Sequence, residues 1–268
     1  AGAIEDAEEY WSQILRCTEE LQQLVEAVVV PETWFFRDPQ AFRAMVRTIM
    51  EEWLPGHPSG VLRLLSLPCS TGAEPYTMAM ALLDAGLPSD RFRIDAIDIS
   101  IQALAHARDG IYGNNSFRGQ DLAFRDRHFE RLERGCRIAD RVRNPVRFMQ
   151  GNLLVADFLR SGESYDIVFC RNLLIYFDAE TQTRAIKVLN RLLEPQGTLF
   201  AGHSEAGLMQ DHDLVSAKFP MAFAFRKAAV TPDQPKAKPA VARTRFQPIV
   251  AAGKKNAPRP RPTFTFKR

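Results

Sequence analysis

The sequence predicts an α/β fold: a mostly parallel sheet covered by helices on both faces, preceded by N-terminal helices and interrupted by a small inserted antiparallel β subdomain. Three observations predict it. Short apolar runs alternate along the chain with stretches whose apolar residues recur at spacings of three and four, the pattern of strands exchanging with amphipathic helices. Proline and glycine punctuate the junctions, where neither continues a regular element. Small and acidic residues follow the first strands, where an open parallel sheet holds its ligands.

Taken in order, residues 3–30 read as one helix with an apolar stripe of Tyr10, Ile14, Cys17, Leu21, Leu24 and Val28, ended by Pro31, which cannot donate the helical bond. Pro39 opens a second helix carrying Phe42, Met45, Val46, Ile49 and Trp53 on one face, proline being at home in a first turn. Residues 1–54 are thus an N-terminal helical region. The main domain spans 60–228. Its strands are expected at 61–67, 92–97, 146–150, 165–170, 198–201 and 222–226, and its helices at 75–85, 101–107 and 179–193. Residues 110–145 break the alternation with many charges and weak period-two stretches around 136–142, and read as an insert with a helix and a short hairpin.

The composition, 46% apolar and 25% charged, is that of a globular protein. No window holds about 18 uninterrupted apolar residues, so no membrane span is expected. The acidic N-terminus lacks an apolar signal core, and the expected location is cytoplasmic. Cys17, Cys69, Cys136 and Cys170 are scattered without a CxxC pair, which argues against a disulfide framework or a zinc site. The five histidines show no ligand spacing, so no metal is expected. Residues 231–268 carry ten Lys or Arg and one Asp, while the rest carries 25 basic and 31 acidic residues. The tail from 229 holds seven of the 17 prolines and reads as a disordered linker. A nucleic-acid arm is disfavoured, because stacking aromatics are few.

The chemistry-bearing residues sit at strand ends. After the first strand, Leu67-Pro68-Cys69-Ser70-Thr71-Gly72-Ala73-Glu74-Pro75 brings small residues to a helix N-terminus, where a ligand can approach the backbone. There is no GxGxxG. Asp98 ends the second strand and can accept ribose hydroxyls. Asn152-Leu153 after the third can hydrogen-bond and cover an adenine. Together these describe a nucleoside site without a pyrophosphate. The fourth strand ends in Arg171, whose planar fork matches a carboxylate, with Tyr176 five residues on.

Phe35-Phe36-Arg37, Ser70 to Tyr76, Phe169-Cys170-Arg171-Asn172 with Ile175-Tyr176-Phe177, and Phe200-Ala201-Gly202-His203-Ser204-Glu205 resemble the chemotaxis-receptor protein-glutamate O-methyltransferase (CheR) family. The resemblance implies a Rossmann-like S-adenosylmethionine (SAM)-dependent methyltransferase whose product is S-adenosylhomocysteine. It implies cofactor contacts for Thr33, Arg37, Glu74, Asp98, Asn152, Leu153 and Asn172, with Arg37 on the methionine carboxylate. It implies catalytic roles for Arg171 and Tyr176, which would position the acceptor glutamate and the methyl group. The implied partner is the cytoplasmic helical domain of a chemoreceptor. Arg134-Gly135-Cys136-Arg137 is short for a loop that captures a receptor C-terminal peptide, so no such docking is expected. The chain departs from the family at Pro31, where Asn is usual, at Ala73-Glu74, where two acids are common, and at Pro68, where the family has a smaller residue.

Three other readings compete. Gly202-His203-Ser204-Glu205-Ala206 nearly spells a hydrolase nucleophile elbow but lacks the final Gly. A non-catalytic SAM-binding scaffold sits poorly with intact Arg171 and Tyr176. A small-molecule methyltransferase leaves the charged insert and the extra helices without a purpose.

Overall fold

The computed structural model describes residues 7–14, 16–119, 121–155, 158–159, 163–210 and 212–228. The predicted linker at 229–268 lies outside the described residues.

A seven-stranded sheet forms the centre. Its strands are β1 (Leu62–Ser66), β2 (Phe92–Asp98), β6 (Val146–Gln150), β7 (Tyr165–Cys170), β8 (Leu193–Ala201), β9 (Leu214–Ser216) and β10 (Ala224–Lys227), in the order β6-β2-β1-β7-β8-β10-β9. The pairs from β6 through β8 are parallel, and β8–β10 and β10–β9 are antiparallel. The strands themselves explain the layering. Leu62, Leu64, Ile167, Phe169 and Phe200 face one apolar cluster, and Leu65, Val168, Cys170 and Leu199 face the other, because successive strand side chains point to opposite faces. Helix α5 (Ala73–Asp84) contributes Met78, Ala79 and Leu82 to the first cluster, and α9 (Ala179–Leu192) contributes Ala185, Ile186 and Leu189 to the second. Helix α6 (Ile101–Asp109) follows β2, and α10 (Ala206–Gln210) precedes β9.

The sheet grows outward from β1 to β2 and β6, then resumes at β7 on the other side of β1. This reversal opens a crevice at the carboxyl ends of β1 and β7, the place where open α/β sheets bind ligands.

The structure corrects several expected boundaries. The helix expected over 3–30 is two helices, α1 (Ala7–Ile14) and α2 (Thr18–Val28), separated at Cys17, whose backbone is extended at φ −118°, ψ 105°. Glu19 and Glu20 in the first turn of α2 favour a fresh N-terminus there;. Helix α3 (Pro39–Thr48) runs on through a π-helical turn, Ile49–Trp53, and a short α4 (Leu54–Gly56), a register shift that accommodates the missing N–H of Pro55. Strand β8 starts at Leu193, ahead of the expected 198, and β9 was not foreseen. The insert holds a three-stranded antiparallel sheet, β3 (Ile111–Tyr112), β5 (Gly135–Ile138) and β4 (Phe129–Leu132), with α7 (Ala123–His128). Its period-two stretch ends at Ile138, and Val142 lies in α8 (Asp140–Arg143).

Candidate functional site

The segment 31–38 crosses the crevice, and aromatic packing pins it there. Phe35 is fully buried, with ring centroids 4.7 Å from Tyr112, 5.0 Å from Phe129 and 5.4 Å from Phe117. Its N–H donates to the Ser116 carbonyl at 3.0 Å. Phe36 donates from its backbone to Thr77 Oγ1 at 3.2 Å. Phe36 and Asp38 both adopt left-handed backbone, φ 55° and 56°, a conformation that costs non-glycine residues energy and concentrates at functional sites. Arg37, between them, donates to the Glu32 carbonyl at 2.8 Å and lies 4.6 Å from the Trp34 ring centroid.

The loop after β1 is equally constrained. Gly72, at φ 86°, precedes α5, and a Cβ there would lie 2.8 Å from Ala107 Cβ, so only glycine fits. Asp98, 3% exposed, accepts from the Ser70 N–H at 2.7 Å and the Ser100 N–H at 3.0 Å. Burial raises its pKa, and these N–H groups partly offset the rise. Serine 100 also caps α6, and Glu26 from α2 accepts from the Ser100 hydroxyl and, at 2.7 Å, from the Ile101 N–H. Helix α2 is therefore latched over the β2 end of the crevice by polar contacts and buries no residue of its own.

Arg171 is the electrostatic centre. It follows β7 directly and its side chain is 4% exposed. One arm donates to Glu74 Oε2 at 3.2 Å and to the Arg37 carbonyl at 3.4 Å, and the other is paired closely with Asp38. Glu74 stands in the first turn of α5 and accepts from the Ser66 hydroxyl at 2.8 Å. Burial raises the Glu74 pKa, and the Arg171 charge is the largest opposing effect. The Arg171 Nε–H and the Ser70 hydroxyl are buried without hydrogen-bond partners among the described residues. Buried polar groups rarely stay unpaired, so both suit the head group of a bound ligand.

Thr33, Arg37, Glu74, Arg171 and Asn172, five of the nine expected site residues, line a single cleft of about 70 Å³ together with Ser70. That is less than the roughly 300–1,000 Å³ of a site enclosing a whole small molecule. It suits the zwitterionic end of an amino-acid nucleoside, with cations for a carboxylate and Glu74 for an ammonium. Asp98 adjoins the cleft through Ser70. Asn152 and Leu153 follow β6, two strands from β1. The Asn152 side-chain Oδ1 accepts from the Leu154 N–H at 2.9 Å, and the Leu153 side chain is buried against the second apolar cluster. Tyr176 is 72% exposed on the 3-10 turn Leu174–Tyr176 and is not among the cleft's lining residues. A larger cavity of about 910 Å³ lies beyond Trp34 and Phe42, between α3 and the insert.

Sequence reasoning missed the residue that holds the Arg171 loop. Glu205 is fully buried and accepts four backbone N–H groups: Gly202 at 2.7 Å, Asn172 at 2.9 Å, and Leu173 and Leu174 both at 2.7 Å. Those donors span the two strand ends, so one carboxylate fixes Asn172 in its left-handed conformation at φ 58°. A Cβ on Gly202 would lie 2.6 Å from Glu205 Oε2. The neighbouring His203 instead sets its exposed ring edge-on to Phe223, with centroids 5.0 Å apart. No residue pattern marked the role of Glu205, because its partners are backbone N–H groups. Ser204 lies on the 3-10 turn His203–Glu205 and is not among the positive-φ residues, unlike the strained nucleophile of a hydrolase elbow. Among the described residues no helix is long and apolar enough to cross a membrane, and no group of three or more His, Cys, Asp or Glu could hold a metal ion.

Residues 31–222 match the family model described as "CheR methyltransferase, SAM binding domain". The chain is 47% identical over 256 residues to the "Probable biofilm formation methyltransferase WspC" of Pseudomonas aeruginosa, covering 95% of this chain and 60% of that protein. It is 34% identical to "Chemotaxis protein methyltransferase 2" of Vibrio cholerae, over 70% of this chain and 66% of that protein. It is 35% identical to the "Chemotaxis protein methyltransferase" of Escherichia coli, over 69% of this chain and 64% of that protein. A mostly parallel sheet with its crevice at the β1/β7 reversal, the cleft around Arg171 and a family model matching residues 31–222 agree: the chain belongs to the CheR family of SAM-dependent methyltransferases.

Proposed function

We propose that this chain transfers a methyl group to glutamate side chains on the cytoplasmic helical domain of a chemoreceptor-type protein. The observation that carries the reading is the Glu74–Arg171 pair in the cleft, with Asp38 on the other arm of the guanidinium. It offers anion-binding guanidinium within reach of a buried acid, and its ion pairs are between side chains that a ligand can displace. The names of the chemotaxis relatives support a receptor acceptor.

SAM supplies an electrophilic methyl on a sulfonium, whose departure leaves a neutral thioether. A glutamate acceptor is already ionised near pH 7, its ordinary pKa being about 4.3, so no residue need act as a general base. What the chain contributes is alignment and exclusion of water. Arg37 and Thr33 hold the carboxylate end of the donor, Glu74 its ammonium, Asp98 the ribose, and Asn152, Leu153 and Asn172 the nucleoside side. Arg171 steers the acceptor carboxylate without holding it so tightly that the ground state gains as much as the transition state. Tyr176, exposed at the mouth-side turn, positions the methyl end once the acceptor covers it. The β4–β5 connection is a two-residue turn, with Leu132 paired to Gly135; Gly135, Cys136 and Arg137, expected in that loop, belong to β5.

The test is methyl-ester formation by Arg171→Ala and Tyr176→Phe, with SAM affinity measured alongside. The reading expects transfer to fall at least about a hundredfold in Arg171→Ala while Tyr176→Phe binds SAM normally and transfers slowly. Full transfer in both variants overturns the assignment.

A further inference from the structure

The contacts that tie helix α2 to the sheet are polar. No α2 residue is buried, and none belongs to the apolar clusters of the core. Gln22 and Glu26, one helical turn apart, make the ties. Gln22 Nε2 donates to the Ile99 carbonyl at 3.2 Å and to Glu26 Oε1 at 2.7 Å, and Gln22 Oε1 accepts from Gln150 Nε2 at 3.0 Å. Glu26 Oε1 accepts from the Ile101 N–H at 2.7 Å and the Gln102 N–H at 3.4 Å, and Oε2 accepts from the Ser100 hydroxyl at 2.5 Å. Burial alone would raise the Glu26 pKa, but these hydrogen bonds outweigh it and hold the carboxyl below its ordinary value. The group thus acts as an anion at the N-terminus of α6, where the helix dipole favours one.

All these ties land on the turn that carries Asp98. Ser100 donates its N–H to Asp98 Oδ1, and its hydroxyl accepts from the Ala103 N–H at 2.9 Å. The first three N–H groups of α6 are therefore satisfied, two of them by a carboxylate from 75 and 76 positions away. Asp98 Oδ2 is held separately by the Ser70 N–H, so the orientation of this acid follows the turn on one side and the β1 loop on the other. A cavity of about 190 Å³ reaches the turn at Ser100, with Glu26, Val29 and Pro31 on its wall, while the smaller cleft reaches Ser70 and has Val30 on its wall. Residues 29–31, directly after α2, thus stand between two spaces that flank Asp98, and a nucleoside held there must meet them.

We propose that Glu26 is a positioning residue of the cofactor site: from α2 it fixes the turn that aims Asp98 at the ribose, so that docking of α2 and binding of the nucleoside are one coupled event. The proposal rests on the assignment of the ribose to Asp98. Coupling of this kind is reciprocal. What the turn gains from α2, α2 gains from the ligand.

The probe is S-adenosylhomocysteine, which binds without reacting. Its affinity for the full chain is measured by calorimetry, and amide exchange over residues 18–28 is followed by mass spectrometry with and without it. In the wild type the ligand is expected to slow exchange in α2 about fivefold, and Glu26→Ala is expected to weaken the ligand by a similar factor and to abolish the slowing. Glu26→Gln, which keeps one acceptor oxygen, should fall between. Ser100→Ala should weaken the ligand as well, and the double variant should lose less than the product of the two single losses, because both side chains act on one turn. Gln23→Ala, at an exposed position of α2, should change neither reading. Melting temperature verifies that each variant folds, and Glu26→Gln decides the matter if Glu26→Ala does not.

An affinity within twofold of wild type in the Glu26 variants, or a wild-type α2 whose exchange ignores the ligand, overturns the proposal. So does a fully multiplicative loss in the double variant. A residue that merely held α2 down would speed its exchange alike with and without ligand and leave affinity unmoved. Asp98→Asn is scored alongside. Lost affinity there without loss in Glu26→Ala overturns the positioning role alone, and unchanged affinity there overturns the ribose assignment and the proposal with it.

Discussion

Two buried glutamates stand at the rim of this sheet, and they are held in opposite ways. Glu205 accepts only backbone N–H groups, four of them. Glu74 accepts only from side chains, Ser66 and Arg171. Backbone donors cannot rotate away, so Glu205 is a fixed tie between the ends of β7 and β8. Side-chain donors can swing to a ligand, so Glu74 is an exchangeable partner. The comparison separates scaffold from site by the kind of donor and not by burial, which both residues share.

That contrast is broken most directly at Glu205. Glu205→Ala leaves four donors without their acceptor and is expected to cost about 3 kcal/mol or more, read as a lowered urea midpoint with methyl transfer lost. A stable Glu205→Ala variant would show that the loop is held by something else. At Glu74 the emphasis falls on binding. Glu74→Gln leaves the buried Arg171 guanidinium with Asp38 as its remaining carboxylate and should cost up to about 3 kcal/mol of stability, while SAM affinity falls about tenfold or more. Calorimetry gives both numbers, and an affinity unchanged within twofold would remove Glu74 from the cofactor site.

A smaller effect is expected where the insert meets α5. His128, 1% exposed, pairs with Asp84 at 2.8 Å, and its Nδ1 is buried without a partner among the described residues. Burial lowers its pKa below the ordinary 6.5, with Asp84 partly opposing. A proton on Nδ1 would create a buried donor with no acceptor. The folded chain thus binds this proton less well than the unfolded chain, so the stability contribution is complete above pH 6.5 and is lost as pH falls below it. Melting temperature should decline from pH 7 to pH 5.5 in the wild type and decline less in His128→Phe. Equal slopes would contradict this. The smallest expected effect is at Arg47→Ala, which breaks an exposed pair with Glu51 and should leave melting temperature unresolved from wild type.

The same distinction explains what was legible in the sequence. Strand Tyr165–Cys170 was readable because burial on both faces makes a nearly continuous apolar run, and the edge strand Val146–Gln150, with no buried residue, was readable through Val146, Phe148 and Met149. Arg171, Asn172, Arg37, Thr33 and Glu74 were readable because strand ends and family-like motifs mark them, and the structure brings these five to one cleft. The break at Cys17 was not readable, because the apolar stripe continues through it in helical register. The role of Glu205 was not readable either: its partners are backbone N–H groups, which leave no residue signature. Asp38, directly before the Pro39 that opens α3, drew no site expectation, yet its side chain pairs with Arg171 from 133 positions away in sequence.

The most direct measurement is transfer from methyl-tritiated SAM to a chemoreceptor cytoplasmic fragment, followed by brief alkaline hydrolysis. The account predicts label on the receptor that alkali releases as volatile methanol, as a glutamyl methyl ester must. Label that stays on the protein through alkali, or no label under conditions where calorimetry shows SAM bound, would contradict it.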